Sequence, residues 1–241
     1  MRHRSDVNIR LHPVLNSARA VIFDAGGTLV HPDWERLIEL AAKSLGRRAD
    51  AAELHRALRG ALHRAERAAN DRQPVDTMHP FWLFREMYAA LGINDQHCAE
   101  IISQIEARHA ERHIWCAPDE QAARVLDCLR QAGLRTAVIS NTDDGRLREL
   151  LELVGLLSRF EVVLDSCLVG LRKPEKAIFD LALQRLDLRP DQAVYVGDSY
   201  ASDFLGARRA GLRAVLIDPF DLHADVEGVR IRSLGELVIA C

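Results

Sequence analysis

The sequence predicts an α/β protein: a doubly wound, Rossmann-like parallel sheet into which an all-α helical module is inserted. Three observations carry this. From Pro118 onward, short apolar runs alternate with helical segments across short loops, the rhythm of a parallel sheet covered on both faces. One more apolar run, Ala18 to Ala25, lies far upstream and ends at an acid followed by Gly26 and Gly27. Between the two the periodicity is helical, so the intervening stretch interrupts the sheet domain instead of preceding it.

Taken in order, residues 18–25 (ARAVIFDA) read as a short buried strand stopped by glycines. From Asp33 to about His113, the windows WERLIELAAKSLG, AAELHRALRGALHRAERAA, FWLFREMYAALG and CAEIISQIEARHAER each place apolar residues at helical spacing. Breaks fall near Gly46, around Pro74 and at Gly92, and Asp50 and Asp95 suit capping or first-turn positions. This stretch is read as four helices and no strand. Residues 119–132 then read as a helix ended by Gly133, 134–140 as a strand and 143–155 as a helix. Strand 160–165, helix 175–187, strand 193–197, helix 202–211 and strand 212–218 follow. The expected organisation is an extension at 1–17, an α/β core at 18–30 and 114–241, and a helical cap at 31–113.

Composition narrows the function classes. At 241 residues the chain fits a core domain with a smaller insertion, and 48% apolar residues supply a sizeable core. No apolar run approaches the roughly 20 residues needed to span a bilayer. A net charge of −3 lacks the basic excess of a nucleic-acid binder. Only Lys43, Lys173 and Lys176 are lysines among 32 basic residues, so each draws attention. Cys98, Cys116, Cys128, Cys167 and Cys241 stand singly, which reads as reduced thiols in a cytoplasmic protein. The first 19 residues carry Arg2, Arg4, Arg10 and Arg19 without the apolar stretch of a secretory signal. They read as a frayed terminus, with a transit peptide left open.

In open α/β sheets, reactive groups gather beyond the carboxyl ends of the strands. Asp24 follows the first strand, Ser140 and Asn141 the second, and Asp198 the fourth, while Lys173 precedes a helix between the third and fourth. Two acids, a hydroxyl and a lysine therefore converge on one end of the sheet. Singly each is ambiguous: Asp24 before glycines suits a turn, and Asp203 suits a first-turn acid.

Together these residues resemble the haloacid dehalogenase-like superfamily over nearly the whole chain. The first motif is Phe23-Asp24-Ala25-Gly26-Gly27-Thr28-Leu29 and the second Ile139-Ser140-Asn141; the third is Lys173-Pro174. The fourth is Gly197-Asp198-Ser199-Tyr200-Ala201-Ser202-Asp203, and the helical insertion stands where the family carries its cap. The resemblance implies a hydrolase acting on a small phosphorylated substrate. Asp24 would attack phosphorus and form an aspartyl-phosphate. Mg²⁺ would be held by Asp24, the Gly26 carbonyl and Asp198, all oxygen donors. Phosphoryl oxygens would meet Gly27, Thr28, Ser140, Asn141 and Lys173. Lys173 would balance charge, and Asp203 would orient Lys173 or a metal-bound water. The cap would set specificity, with Trp34, His79, Phe81, Trp82 and Arg85 as candidates.

One position departs from the family pattern. Phosphatases of this kind carry a second aspartate two residues after the nucleophile, as acid and base, and here that residue is Gly26. Such a role is worth about 10² to 10⁴ in rate. Three readings stay open: a phosphohydrolase for a good leaving group such as an acyl phosphate, or one that borrows His31 or His79 as proton donor; a 2-haloacid dehalogenase; and a non-enzymatic binding or regulatory module. Metal-independent dehalogenases usually lack the Gly-Asp of the fourth motif, so Gly197, Asp198 and Asp203 favour phosphate. The Schiff-base lysine of phosphonate-type members has no counterpart here except Lys43, read as a surface lysine.

Overall fold

A computed structural model describes residues 9–70 and 81–240 of the chain. Six strands form one parallel sheet: β1 (Ala20–Phe23), β2 (Arg135–Ser140), β3 (Val162–Asp165), β4 (Ala193–Gly197), β5 (Arg213–Ile217) and β6 (Val229–Ile231). Their spatial order is β3-β2-β1-β4-β5-β6, the doubly wound arrangement expected. Five of the six lie where the apolar runs place them, with ends shifted by no more than two residues. β6 was not foreseen, because Val229–Ile231 is three residues long with only Ile231 buried. Phe23 pairs with Val138 on one side and Val196 on the other, so β1 is the centre of the sheet.

The chain divides into two compact units: Met1–Leu29 with Pro118–Pro219 and Asp225–Cys241, and Val30–Ala117 with Phe220–Ala224. The second unit contains α1 (Trp34–Leu45), α2 (Ala51–Asn70), α3 (Trp82–Ala90) and α4 (Asp95–Glu111). Asp33 caps α1 by accepting from the Arg36 amide at 3.1 Å, Asp50 accepts from Glu53 at 2.7 Å, and Asn94 caps α4 through His97 at 2.9 Å. Their apolar faces meet in a core of Leu37, Leu54, Phe84, Met87 and Ile105, among others. The Tyr88 hydroxyl buried in that core donates to the Leu37 carbonyl at 3.0 Å, as a buried phenol requires. The expected break around Pro74 and the candidate His79 lie outside the described residues.

In the first unit the helices are α5 (Ala122–Gln131), α6 (Leu147–Leu153), α7 (Lys176–Leu186) and α8 (Gly206–Arg209), with one further short helix at Ser166–Val169. Alternate strand residues Ile22, Ile139, Leu164, Tyr195 and Leu216 pack with Ile178, Phe179 and Leu183 of α7 and Ala207 of α8. The residues between them, Val21, Phe23, Val138, Val194 and Val196, are fully buried as well. Both faces of the sheet are thus dry, which is why its strands read as unbroken apolar runs.

Two expectations need correction. From residue 9 the terminal segment is tied down, not frayed. Arg10–Leu11 pairs antiparallel with Val238–Ala240, and the Arg213 guanidinium donates to the Val14 and Asn16 carbonyls at 2.8 and 2.7 Å. Backbone pairing between distant segments leaves no local sequence signal. The thiols are also not uniformly reduced: Cys98, Cys116 and Cys167 are free, but Cys128 is disulfide-bonded. Spacing along the chain cannot reveal a pairing made by tertiary approach. Among the described residues no helix is long and apolar enough to cross a membrane.

Candidate active site

The sheet order reverses between β1 and β4, and in open α/β sheets ligands bind beyond the carboxyl ends of the strands at such a reversal. Asp24 is the first residue after β1, and its amide donates to the Val196 carbonyl of β4 at 2.9 Å. Ser140 is the last residue of β2 and Asp198 the first after β4. The apolar strands therefore carry these polar groups to the same end of the sheet, where all three are buried.

Lys173 lies in the loop before α7, between exposed Arg172 and Pro174, yet its own side chain is buried. The Lys173–Pro174 peptide bond is cis. Lys173 Nζ donates to Asp24 Oδ1 at 2.5 Å, to Asp203 Oδ1 at 2.6 Å and to the Tyr195 hydroxyl at 3.0 Å. Asp203 sits in a wide turn, Tyr200–Leu205, that leads into α8, and its Oδ2 accepts from the Ser199 amide at 3.0 Å. It orients the lysine and closes the turn at once. Wide turns of this kind recur at functional sites.

Asp24, Asp198 and Asp203 each place a carboxylate oxygen within 4.8 Å of the others. All three are buried, and the Lys173 ammonium pairs with two of them, Asp24 and Asp203. Burial pushes the Asp24 carboxyl up to about 8 from its ordinary 3.8; Lys173 opposes this, while Asp203 and Asp198 add to it. Burial alone would lower Lys173, but the charges of Asp203 and Asp24 outweigh it and hold the ammonium above its ordinary range. Three carboxylates gathered this closely are a place that a hard divalent cation would suit. The donor set fits Mg²⁺, being all oxygen.

Two glycines make room for the acids. A Cβ on Gly27 would lie 2.2 Å from Asp198 Oδ2, and Gly27 also has φ of +79°. A Cβ on Gly197 would lie 2.4 Å from Asp203 Cγ. Gly27→Ala is expected to leave the chain folded, at a cost of about 1–2 kcal/mol for the left-handed backbone. Because Asp198 must turn away, Mg²⁺ affinity by calorimetry should fall about tenfold or more. Unchanged affinity would remove Asp198 from the cation site.

The other expected residues divide. Ser140 is buried at the end of β2, and Thr28 is buried with its hydroxyl lacking a hydrogen-bond partner among the described residues. Gly26 is half-buried in the loop between Asp24 and Gly27. Asn141, expected to meet phosphoryl oxygens, uses its side chain otherwise. Its Nδ2 donates to the Lys173 carbonyl at 2.9 Å and its Oδ1 accepts from the Lys173 amide at 2.9 Å. A primary amide brackets one backbone residue in this way because it offers a donor and an acceptor side by side. Sequence reasoning missed Tyr195, whose only trace is a hydroxyl-bearing residue inside the apolar run AVYVG. It also missed buried Asp165, which accepts from the Leu147 and Cys167 amides at 3.0 Å each and from the Thr142 hydroxyl, so that it braces the loop after β2.

In the helical unit, Arg85 pairs with Asp95 at 3.0 Å and Glu86 at 3.7 Å and is exposed. Trp34 and Phe81 pack against the unit's own core, and Trp82 is half-buried. Lys43 is exposed in the last turn of α1. His31 lies 5.6 Å from the His55 ring, and His55 is pushed down to about 4 by burial and by the nearby His31 and Arg59 charges. His63 Nδ1 and His223 Nε2 lie 3.1 Å apart, with Glu66 at 3.4 Å from His223. The α2 residues His55, Arg59 and His63 follow helical spacing, but nothing in the sequence places His223 beside them. His109 and His113 accept from the Ile114 and Trp115 amides at 3.2 and 3.3 Å.

Comparison with known proteins gives a consistent picture. A family profile described as haloacid dehalogenase-like hydrolase matches residues 18–211. The chain is 34% identical over 151 residues to "Haloacid dehalogenase-like hydrolase domain-containing protein 3" of Bos taurus, covering 60% of this chain and 59% of that protein. It is 33% identical over 162 residues to a phosphoserine phosphatase of Thermus thermophilus, covering 66% and 63%. The matches therefore span less than two thirds of these relatives' length. A solved HAD phosphatase from Thermococcus onnurineus shares 27% identity at a TM-score of 0.57, covering 91% of this chain and 95% of that one.

Proposed function

The chain belongs to the haloacid dehalogenase-like hydrolases, and we propose that it is a Mg²⁺-dependent phosphohydrolase of a small phosphorylated metabolite, acting through an aspartyl-phosphate at Asp24. The observation that carries this reading is the cluster of Asp24, Asp198 and Asp203, two of which, Asp24 and Asp203, accept from Lys173 Nζ at 2.5 and 2.6 Å. Dehalogenation through the first acid needs no cation site, and this cluster of buried carboxylates suits one.

Asp24 attacks phosphorus with one carboxylate oxygen while the bond from phosphorus to the leaving-group oxygen breaks. The leaving group departs with the electron pair. Water then attacks the same phosphorus, releases phosphate and restores Asp24. Lys173 holds the Asp24 carboxylate in place, while Ser140, Thr28 and the amides after β1 and β2 receive phosphoryl oxygens. Asp24, Asp198 and the Gly26 carbonyl would hold the ion, which when bound offsets the repulsion between carboxylate and phosphate. The helical unit is proposed as the cap that selects the substrate. Three free thiols suit the cytoplasm as compartment, with the Cys128 disulfide as the observation on the other side.

Gly26 shapes the substrate range. With no carboxyl at that position, a leaving group that departs without protonation, such as a carboxylate from an acyl phosphate, is favoured over an alkoxide. Gly26→Asp is expected to raise kcat/KM for alkyl phosphates about 10²-fold and to change acyl phosphate turnover little. The deciding assay is phosphate release from a panel of phosphomonoesters and acyl phosphates with and without Mg²⁺, with 2-chloropropionate included and halide measured. Metal-dependent phosphate release supports the proposal. Metal-independent halide release would replace it with a dehalogenase. Silence on every substrate from folded protein would leave a binding role.

A further inference from the structure

We propose that Tyr195 is a positioning residue whose hydroxyl locks the Lys173 ammonium into the single orientation in which it faces Asp24. The inference rests on the reading of Asp24 as the reactive carboxylate, but its first test does not depend on turnover.

An ammonium has three N–H donors and no acceptor. Those of Lys173 go to Asp24 Oδ1 at 2.5 Å, Asp203 Oδ1 at 2.6 Å and the Tyr195 hydroxyl at 3.0 Å. The tyrosine in turn donates its own proton to Asp203 Oδ1 at 3.0 Å, and Asp203 Oδ2 accepts from the Ser199 amide at 3.0 Å. Lysine, tyrosine and Asp203 thus form a closed triangle with one vertex reaching Asp24. Without the hydroxyl, the third N–H would be buried and unpaired, and the ammonium would be free to rotate between two carboxylates.

The ring is held as firmly as the hydroxyl. Tyr195 is fully buried in β4, and its ring meets Phe179 of α7 edge to face at 5.2 Å. The Lys173 ammonium also lies 5.6 Å from the centre of the tyrosine ring. A phenylalanine would keep all of this packing and lose only the hydroxyl. Position 195 is therefore a clean place to separate orientation from folding.

The chain's composition makes the orientation directly measurable. It contains three lysines, and Lys43 and Lys176 are exposed while the Lys173 side chain is 3% exposed. In full-length protein labelled with ¹⁵N at lysine, the Lys173 ammonium is expected to give a slowly exchanging signal, set apart from the other two. Tyr195→Phe should raise its proton exchange rate about tenfold. In the same variant kcat on the best phosphate substrate should fall about 10- to 100-fold, with KM changed less than about threefold. Phe179→Leu is the control, since it loosens the ring's packing and keeps the hydroxyl. It should lower the melting temperature while leaving ammonium exchange and kcat within about threefold of the parent. Unaltered exchange in Tyr195→Phe would overturn the proposal, as would the same losses in Phe179→Leu. If the parent protein hydrolyses nothing, the phosphohydrolase reading fails while the exchange measurement still decides the role of Tyr195.

Discussion

Asp24→Asn is expected to do two opposite things: to lower phosphate release by about 10⁴- to 10⁶-fold, and to raise the melting temperature of the metal-free protein at alkaline pH. The first follows from removing the attacking oxygen, since an amide is not a nucleophile toward phosphorus and covalent nucleophiles account for losses of this order. The second follows from the surroundings of the residue. Three buried carboxylates lie together, two of them paired with the Lys173 ammonium, and burial holds Asp24 up to about 8. Above about pH 8, where Asp24 is ionised, a neutral isostere removes a buried charge beside Asp203 and Asp198 and can still accept from Lys173. A reactive group kept at a cost in stability is a familiar feature of enzyme sites.

The pH dependence gives this prediction its sign. Asp24 binds its proton more tightly in the folded chain than in the unfolded one, where the ordinary value of 3.8 applies. Its contribution to stability is therefore complete below about pH 4 and is lost as the pH climbs through about 8. Lys173 stays charged across this window, because it is held above its ordinary range. Melting curves in EDTA from pH 5 to 9 should fall with rising pH in the parent protein and be flatter in Asp24→Asn. Added Mg²⁺ should stabilise the parent most at the alkaline end. Parallel curves for the two proteins would remove Asp24 from the charged cluster.

Lys173→Met is the counterpart, and its two effects run in the same direction. Losing the ammonium leaves Asp24 and Asp203 buried against each other without a counter-charge. Breaking a buried pair from one side costs about 3–5 kcal/mol, or roughly 6–20 °C in a chain of this size. Activity should fall by about 10³-fold. Lys176→Met serves as the comparison, because its partner Asp180 is exposed like itself, and such pairs are worth under about 1 kcal/mol. Adding Asp203→Asn to Lys173→Met should recover much of the lost melting temperature and none of the activity. If the single variant melts within a degree or two of the parent, the ion pairs have been assigned too much weight.

The buried strands were legible because a sheet dry on both faces selects short unbroken apolar runs, and the helices because a one-sided core selects a 3.6-residue period. The reactive ends were legible for a related reason: Asp24, Ser140 and Asp198 are the first polar residues after their strands, so finding the strand finds the residue. β6 escaped because three residues with one buried side chain carry no period, and the antiparallel pair at Arg10–Leu11 and Val238–Ala240 escaped because nothing local announces it.

The roles of the polar groups are a different matter. The strand-helix alternation, the interruption by a helical module and the order of the four motifs were properties of the sequence alone, since each depends on residues close together in the chain. That Asn141 brackets the Lys173 backbone, that Tyr195 completes the lysine's hydrogen bonds and that Asp203 serves both Ser199 and Lys173 was decided only by the tertiary structure. So was the grouping of Phe220–Ala224 with the helical unit. Hydrophobic burial is written into periodicity, but a hydrogen bond is a relation between two particular atoms, and those atoms meet only once the chain has folded.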